Sequence, residues 1–129
     1  MGEKDLQQMY LVKKFFKKRH LSKIIKCKTI RNKNKLALSS RNFLLNKKDL
    51  LKAGKLIQEL IQFKKKNKKQ SSINQILILK KKELSKFYKL KIEYLELRNM
   101  NNLKLSSKLQ NSKIFISFYL NKIRLIDNI

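Results

Sequence analysis

Proline and tryptophan are absent from this 129-residue chain, and glycine occurs only twice, at Gly2 and Gly54. That scarcity excludes a glycine-rich phosphate loop or dinucleotide fingerprint. One cysteine, Cys27, and one histidine, His20, leave no disulfide framework. They also leave no zinc finger or ribbon, which needs four ligands at regular spacing. Cys27 reads as an inert, partly buried thiol in a reducing compartment. Long apolar runs are missing as well: the longest uncharged stretch, Gln70 to Leu79, falls far short of the roughly 20 residues a membrane-spanning helix requires. The N-terminus has no secretory apolar region. Glu3 and Asp5 interrupt the acid-free character of a transit peptide, and Leu6 stands where a myristoylation motif places Ser or Thr. No transmembrane segment and no cleavable presequence are expected.

Acidic residues are scarce. Eight Asp and Glu face thirty-four Lys and Arg, for a net charge of +26. A compact fold of 15.5 kDa exposes roughly 7,200 Å², or about one cation per 200 Å². Like charges at that density oppose compaction, so a polyanion is the expected neutralising partner.

Bulky aliphatic residues are plentiful, with 22 Leu and 14 Ile, which separates the chain from disordered basic tails. Phe, Tyr, Met, Ile, Asn and Lys, whose codons are AT-rich, supply 69 residues, whereas Gly, Ala, Pro and Arg supply nine. Lys exceeds Arg by 29 to 5, although the planar Arg fork suits phosphate better. Base composition of the genome explains that choice.

The periodicity predicts a mainly α, extended helical protein. Leu6, Met9, Tyr10 and Phe16 share a face of a helix over about 3–18. A helix over about 47–65 starts at a capping Asn46, with Asp49 near its positive end. Leu50, Ile57, Leu60 and Ile61 form its stripe, Leu51 and Leu56 widen it, and Gly54 either weakens the helix or permits close packing. A third helix over about 73–99 begins at a capping-box pattern, Ser72 to Gln75. It carries Ile73, Ile76, Leu77, Leu84, Phe87, Tyr88, Tyr94 and Leu95 inward, with surface pairs such as Glu83–Lys86 and Lys89–Glu93. Residues of about 114–126 read as a strand, with Ile114, Ile116, Phe118 and Leu120 on one side, or as a helix. The helix is preferred because a lone strand has no evident partner. Leu36 and Leu38 suggest a short extended piece. No repeat or linker divides the chain, so 1–129 is expected to be one rRNA-associated domain with a basic N-terminal segment over about 13–35.

Between Lys13 and Lys35 there are eleven Lys or Arg and no acid. Cations contact phosphates and flat rings contact exposed bases in RNA-binding proteins. The candidate RNA-binding residues in this tract are Lys13, Lys14, Lys17, Lys18, Arg19, His20, Lys23, Lys26, Lys28, Arg31, Lys33 and Lys35. Arg41 follows, and Lys64, Lys65, Lys66, Lys68 and Lys69 form a second basic stretch. No catalytic residue is assigned. Glu93 and Glu96 are the one close carboxylate pair on a plausible face, and a surface pair to Lys89 is the simpler use of Glu93. No enzyme, cofactor, metal or small-molecule substrate is expected.

The run Lys13-Lys14-Phe15-Phe16-Lys17-Lys18-Arg19-His20, the run Lys64-Lys65-Lys66-Asn67-Lys68-Lys69 and the Ile/Asn/Lys bias together resemble the small, lysine-rich ribosomal proteins encoded in mitochondrial genomes. The likeness is one of composition over the whole length, with no motif of a single ribosomal family. It implies a structural constituent of the ribosome in the mitochondrial matrix, organelle-encoded, bound to rRNA and neighbouring ribosomal proteins. Two alternatives remain open. One is an accessory subunit of a membrane-bound respiratory complex contacting anionic lipids; the other is a free basic nucleic-acid-binding protein.

Overall fold

A computed structural model describes the backbone of residues 1–19 and 23–129, and the side chains of 1–16 and 23–129. Three helices, α1 (Leu6–Arg19), α2 (Lys47–Lys66) and α3 (Ile73–Tyr88), are followed by strands β1 (Lys91–Asn99), β2 (Ser112–Leu120) and β3 (Ile123–Asn128). Two 3-10 turns, Glu3–Asp5 and Ser40–Leu44, precede α1 and α2. The strands form an antiparallel sheet in the order β1-β2-β3. The architecture is α/β, so the mainly α expectation is corrected, and so is the extended helical shape.

The helix expected over 73–99 stops at Tyr88. Lys89 takes a left-handed conformation (φ 48°) and its N–H, with that of Leu90, bonds back to the carbonyls of Lys86 and Ser85. This is the αL ending common at helix C-termini. The segment beyond it misleads because β1 carries an irregularity between Ile92 and Tyr94. The extra residue at Glu93 breaks the two-residue alternation of a strand. Ile92 and Leu95, three apart, therefore both enter the core and imitate a helical stripe. Glu93 is free to turn outward, where Ser117 Oγ donates to it at 2.7 Å and Arg124 pairs with it at 2.7 Å. The expected helical pairs are thus replaced: Glu83 pairs with Lys80, and Glu93 pairs across the sheet.

The C-terminal segment is strand, not helix, because β1 supplies the partner that the sequence did not reveal. Ile114, Ile116, Phe118 and Leu120 of β2 all point into one core with Leu56, Ile57 and Leu60 of α2 and Leu77 and Leu84 of α3. Burying each such side chain stabilises the fold by roughly 1.5–3 kcal/mol. The opposite face of β2 is also covered, since Phe115 packs with Leu6 and Met9 of α1.

α2 begins as its cap requires, with Asn46 Oδ1 accepting from the Asp49 N–H at 2.8 Å. Ser72 caps nothing through its side chain, so the start of α3 rests on packing of Ile73 and not on a capping box. Gly54 settles the choice between weakness and close approach. A Cβ there would lie 2.6 Å from Asn34 Cβ and 3.1 Å from the Asn34 carbonyl oxygen. The 32–35 turn is seated directly on α2. Cys27, expected to be partly buried, is exposed.

Candidate functional site

The two 3-10 turns face each other across the end of β3. Glu3–Asp5 is held from below by Asn128, whose side-chain N–H₂ donates to the carbonyls of Glu3 and Lys4 at 2.8 and 2.9 Å. Glu3 itself pairs with Lys113 at 2.7 Å and Lys26 at 2.9 Å. These contacts fix Lys4 and Asp5 at the rim of a cavity of about 220 Å³.

The other rim is Ser39 to Asn42. Ser39 Oγ accepts from the Arg41 N–H at 3.3 Å, and Asn42 Nδ2 donates to the Ala37 carbonyl at 3.0 Å. Arg41 reaches across the cavity edge and donates from Nη1 to the Arg124 carbonyl of β3 at 3.0 Å. Asn42 Oδ1 is buried and accepts no hydrogen bond from the described residues. Phe118 and Leu125 make the apolar floor, and Asp127 lies on the β3 side.

A second cavity of about 120 Å³ adjoins the first through Lys4, Asp5, Ile126 and Asp127, and adds Gln7, Gln8 and Tyr94. Burial pushes the Tyr94 phenol above its ordinary range, so it stays a neutral hydroxyl at physiological pH. Two cations (Lys4 and Arg41), two serine hydroxyls, carboxamides and two carboxylates (Asp5 and Asp127, the latter paired with Arg31) thus line one continuous polar recess. Ligand pockets usually hold about 300–1,000 Å³, so the larger of the two cavities has room for part of a ligand.

The candidate residues named from charge are dispersed. Arg31 is drawn inward to Asp127, Lys26 to Glu3, and Lys64 to the Ile129 carbonyl at 2.9 Å. Burial, and then the nearby Lys113, pushes the Lys64 ammonium below its ordinary pKa. Lys13 and Lys14 border a shallow recess with Tyr10 and Met100. Lys23, Lys28, Lys65, Lys66, Lys68 and Lys69 are exposed, and Lys33 and Lys35 lie on the 32–35 turn. His20 and the side chains of Lys17, Lys18 and Arg19 lie outside the described residues. Of the described members of the set, only Arg41 borders the cavity. Missed from the sequence were Lys4, Asp5, Gln7, Gln8, Ser39, Ser40, Asn42 and Asp127. The run Ser39-Ser40-Arg41-Asn42 carried a signal: two hydroxyls beside one of only five arginines.

The model of the pantoate-beta-alanine ligase family matches residues 1–129. The pantothenate synthetase of Flavobacterium psychrophilum is 34% identical over 132 residues, covering 99% of this chain and 46% of that protein. That of Clostridium botulinum (strain Loch Maree) is 37% identical over 132 residues, with 98% and 46% covered. Among solved structures, pantothenate synthetase from Thermus thermophilus superposes with a TM-score of 0.86 at 25% identity, over all of this chain and 48% of that one. The Francisella tularensis pantoate-beta-alanine ligase, solved in complex with Beta-gamma ATP and beta-alanine, gives a TM-score of 0.71 at 32% identity, over 99% and 41%. The chain belongs to the pantoate-beta-alanine ligase family. It spans just under half the length of the relatives it matches.

This membership overturns the ribosomal reading. The chain is not assigned to rRNA or to neighbouring ribosomal proteins, and neither a respiratory accessory subunit nor a free nucleic-acid-binding protein is supported. Its relatives are synthetases of bacteria that act on small molecules, so the expectations of no enzyme, no small-molecule substrate and a mitochondrial location are withdrawn. The physical reason is that an AT-rich genome enriches Lys, Asn and Ile in any protein it encodes. Composition therefore reported the genome and not the partner.

Proposed function

We propose that the chain forms part of an ATP-dependent ligase joining pantoate to β-alanine, and that the recess between Lys4–Asp5 and Ser39–Asn42 takes phosphate of the nucleotide. The observation that carries this reading is the convergence of Lys4, Arg41 and the Ser39 and Ser40 hydroxyls on one cavity of about 220 Å³. Family membership and the nucleotide complex of the Francisella tularensis enzyme support it.

The chemistry fits those groups. A carboxylate repels an approaching amine nucleophile and carries a poor leaving group, so amide formation needs activation. ATP supplies it, and a phosphate-containing leaving group must then carry away negative charge. A guanidinium and an ammonium placed where that charge collects lower the barrier, since fixed donors need no reorganisation at the moment of reaction. Serine hydroxyls donate to the remaining oxygens. The apolar floor of Phe118 and Leu125 lowers the local dielectric and strengthens each contact. The adjoining cavity, with Gln7, Gln8 and the Tyr94 hydroxyl, offers donors and acceptors to the polar groups of an acyl substrate.

The test is ligation of pantoate to β-alanine with this chain assembled with the rest of the ligase fold from a relative such as the Clostridium botulinum enzyme. Arg41→Ala should reduce turnover by about a hundredfold, the scale of losing one charge-stabilising donor. Lys65→Ala, on the exposed end of α2, should leave it unchanged. Equal activity of Arg41→Ala and the parent would remove Arg41 from the site.

A further inference from the structure

Among the described residues of the basic N-terminal tract, Arg31 is the one whose guanidinium is committed to the interior. Its Nη1 donates to Asp127 Oδ2 at 2.6 Å and to the Lys35 carbonyl at 2.9 Å. Its Nη2 donates to Asp127 Oδ1 at 2.9 Å and to the Asn128 carbonyl at 3.1 Å. The Asp127 side chain is 1% exposed and also accepts from the Asn128 N–H at 2.8 Å. A carboxylate so desolvated is retained only with its partners complete, and the two-pronged geometry fixes both orientation and distance.

The position of this pair matters more than its strength. Arg31 pairs with Ala37 in an antiparallel bridge, and the Leu38 N–H donates to the Ile30 carbonyl at 2.9 Å. Those contacts close a small loop whose outgoing strand runs straight into Ser39–Asn42. Asp127 sits on β3, three residues beyond Arg124, which receives Arg41. The phosphate-facing turn is therefore tied to β3 at two places, through Arg41 at its tip and through Arg31 at its root. The Asp127 carboxylate borders both cavities, yet its two oxygens are occupied by Arg31.

We propose that the Arg31–Asp127 pair is a positioning device that sets the Ser39–Asn42 turn against β3 at the height where Ser39, Ser40 and Arg41 face the cavity. Its geometric part stands on the structure alone; its consequence for ligand binding rests on the phosphate reading above. Arg31 and Asp127 act through the turn and are positioning residues.

The experiment compares the full chain with Arg31→Lys, which keeps the charge and loses the fork, and with Asp127→Asn. Glu96→Gln, which breaks the Arg98–Glu96 pair on β1, serves as a control touching neither turn. Hydrogen exchange is read at the amides of Leu38, Arg41 and Asn42, all bonded in the structure. ATP affinity is measured by calorimetry on the same variants assembled with the rest of the ligase fold, as in the ligation test. In Arg31→Lys, exchange at these three amides should rise at least about tenfold, with Leu95, Leu97 and Ile116 unchanged. ATP affinity should fall by about the same factor, the scale of a small misplacement of binding groups. Glu96→Gln should change neither. Unaltered exchange at 38–42 in a folded Arg31→Lys would overturn the proposal, and that variant decides the matter if Asp127→Asn fails to fold. A parent assembly that binds no ATP, with the turn still loosened in Arg31→Lys, would uphold the positioning role and sink the phosphate reading.

Discussion

Individual side chains here have roles that their type does not announce. Gly54 is the clearest case. Inside a helix, Ala is preferred over Gly by about 1 kcal/mol, so Gly54→Ala would stabilise an isolated α2. In the folded chain the added methyl would meet the Asn34 backbone carbonyl at 3.1 Å. Overpacking of that kind costs roughly 1–3 kcal/mol, so we expect Gly54→Ala to lower the unfolding free energy in urea. Higher stability would mean that the 32–35 turn yields easily. Glu3 offers a second residue-scale test. Lys113, then Lys26, hold its carboxyl at about 2 instead of 4.5, against the opposing effect of burial. As pH falls, the unfolded chain takes up this proton first. The contribution of Glu3 is therefore complete above about pH 4.5 and drains away as pH drops toward about 2. With only eight acids in the chain, this one should be visible. Glu3→Gln should flatten stability against pH across that window in denaturation measured from pH 2 to 6, and an unchanged slope would contradict the pairing.

At the scale of elements, legibility followed how regular each pattern is. α2 lies within a residue of its expected span because its stripe is uninterrupted and Asn46 is a true cap. β1 was hidden by the irregularity at Glu93, which placed apolar residues at a helical interval. β2 showed its alternation plainly, but its partners lie about 20 residues upstream and immediately downstream, and pairing cannot be read from one segment alone. The same principle explains α3, whose inner and outer faces both carry apolar residues. Leu84 is fully buried, whereas Phe87 is 75% exposed. Leu84→Ala should cost about 2–5 kcal/mol, and Phe87→Ser should stay within about 0.5 kcal/mol, both measured by chemical denaturation. Equal effects would mean that α3 is rotated on the sheet relative to this description.

For the molecule as a whole, the site could not be assembled from sequence because its polar rim comes from the separated stretches 4–8, 39–42 and 124–127, with Phe118 and Tyr94 added from β2 and β1. Only the sheet brings them together. Arg41 was singled out from charge alone, for a partner that family membership replaces, and the hydroxyls beside it were passed over because lysines dominated the reading. The excess charge is spread over solvent-facing positions on α1, α2 and the loops, so a general attraction to polyanions and a built phosphate site make different predictions. Backbone amide shifts of the full chain titrated with ATP separate the two most directly. A built site predicts saturable shifts concentrated at Lys4–Asp5, Ser39–Asn42 and Arg124–Asp127, abolished by Arg41→Ala. Shifts that follow the exposed lysines at 65–69 instead, or that persist unchanged in Arg41→Ala, would contradict it.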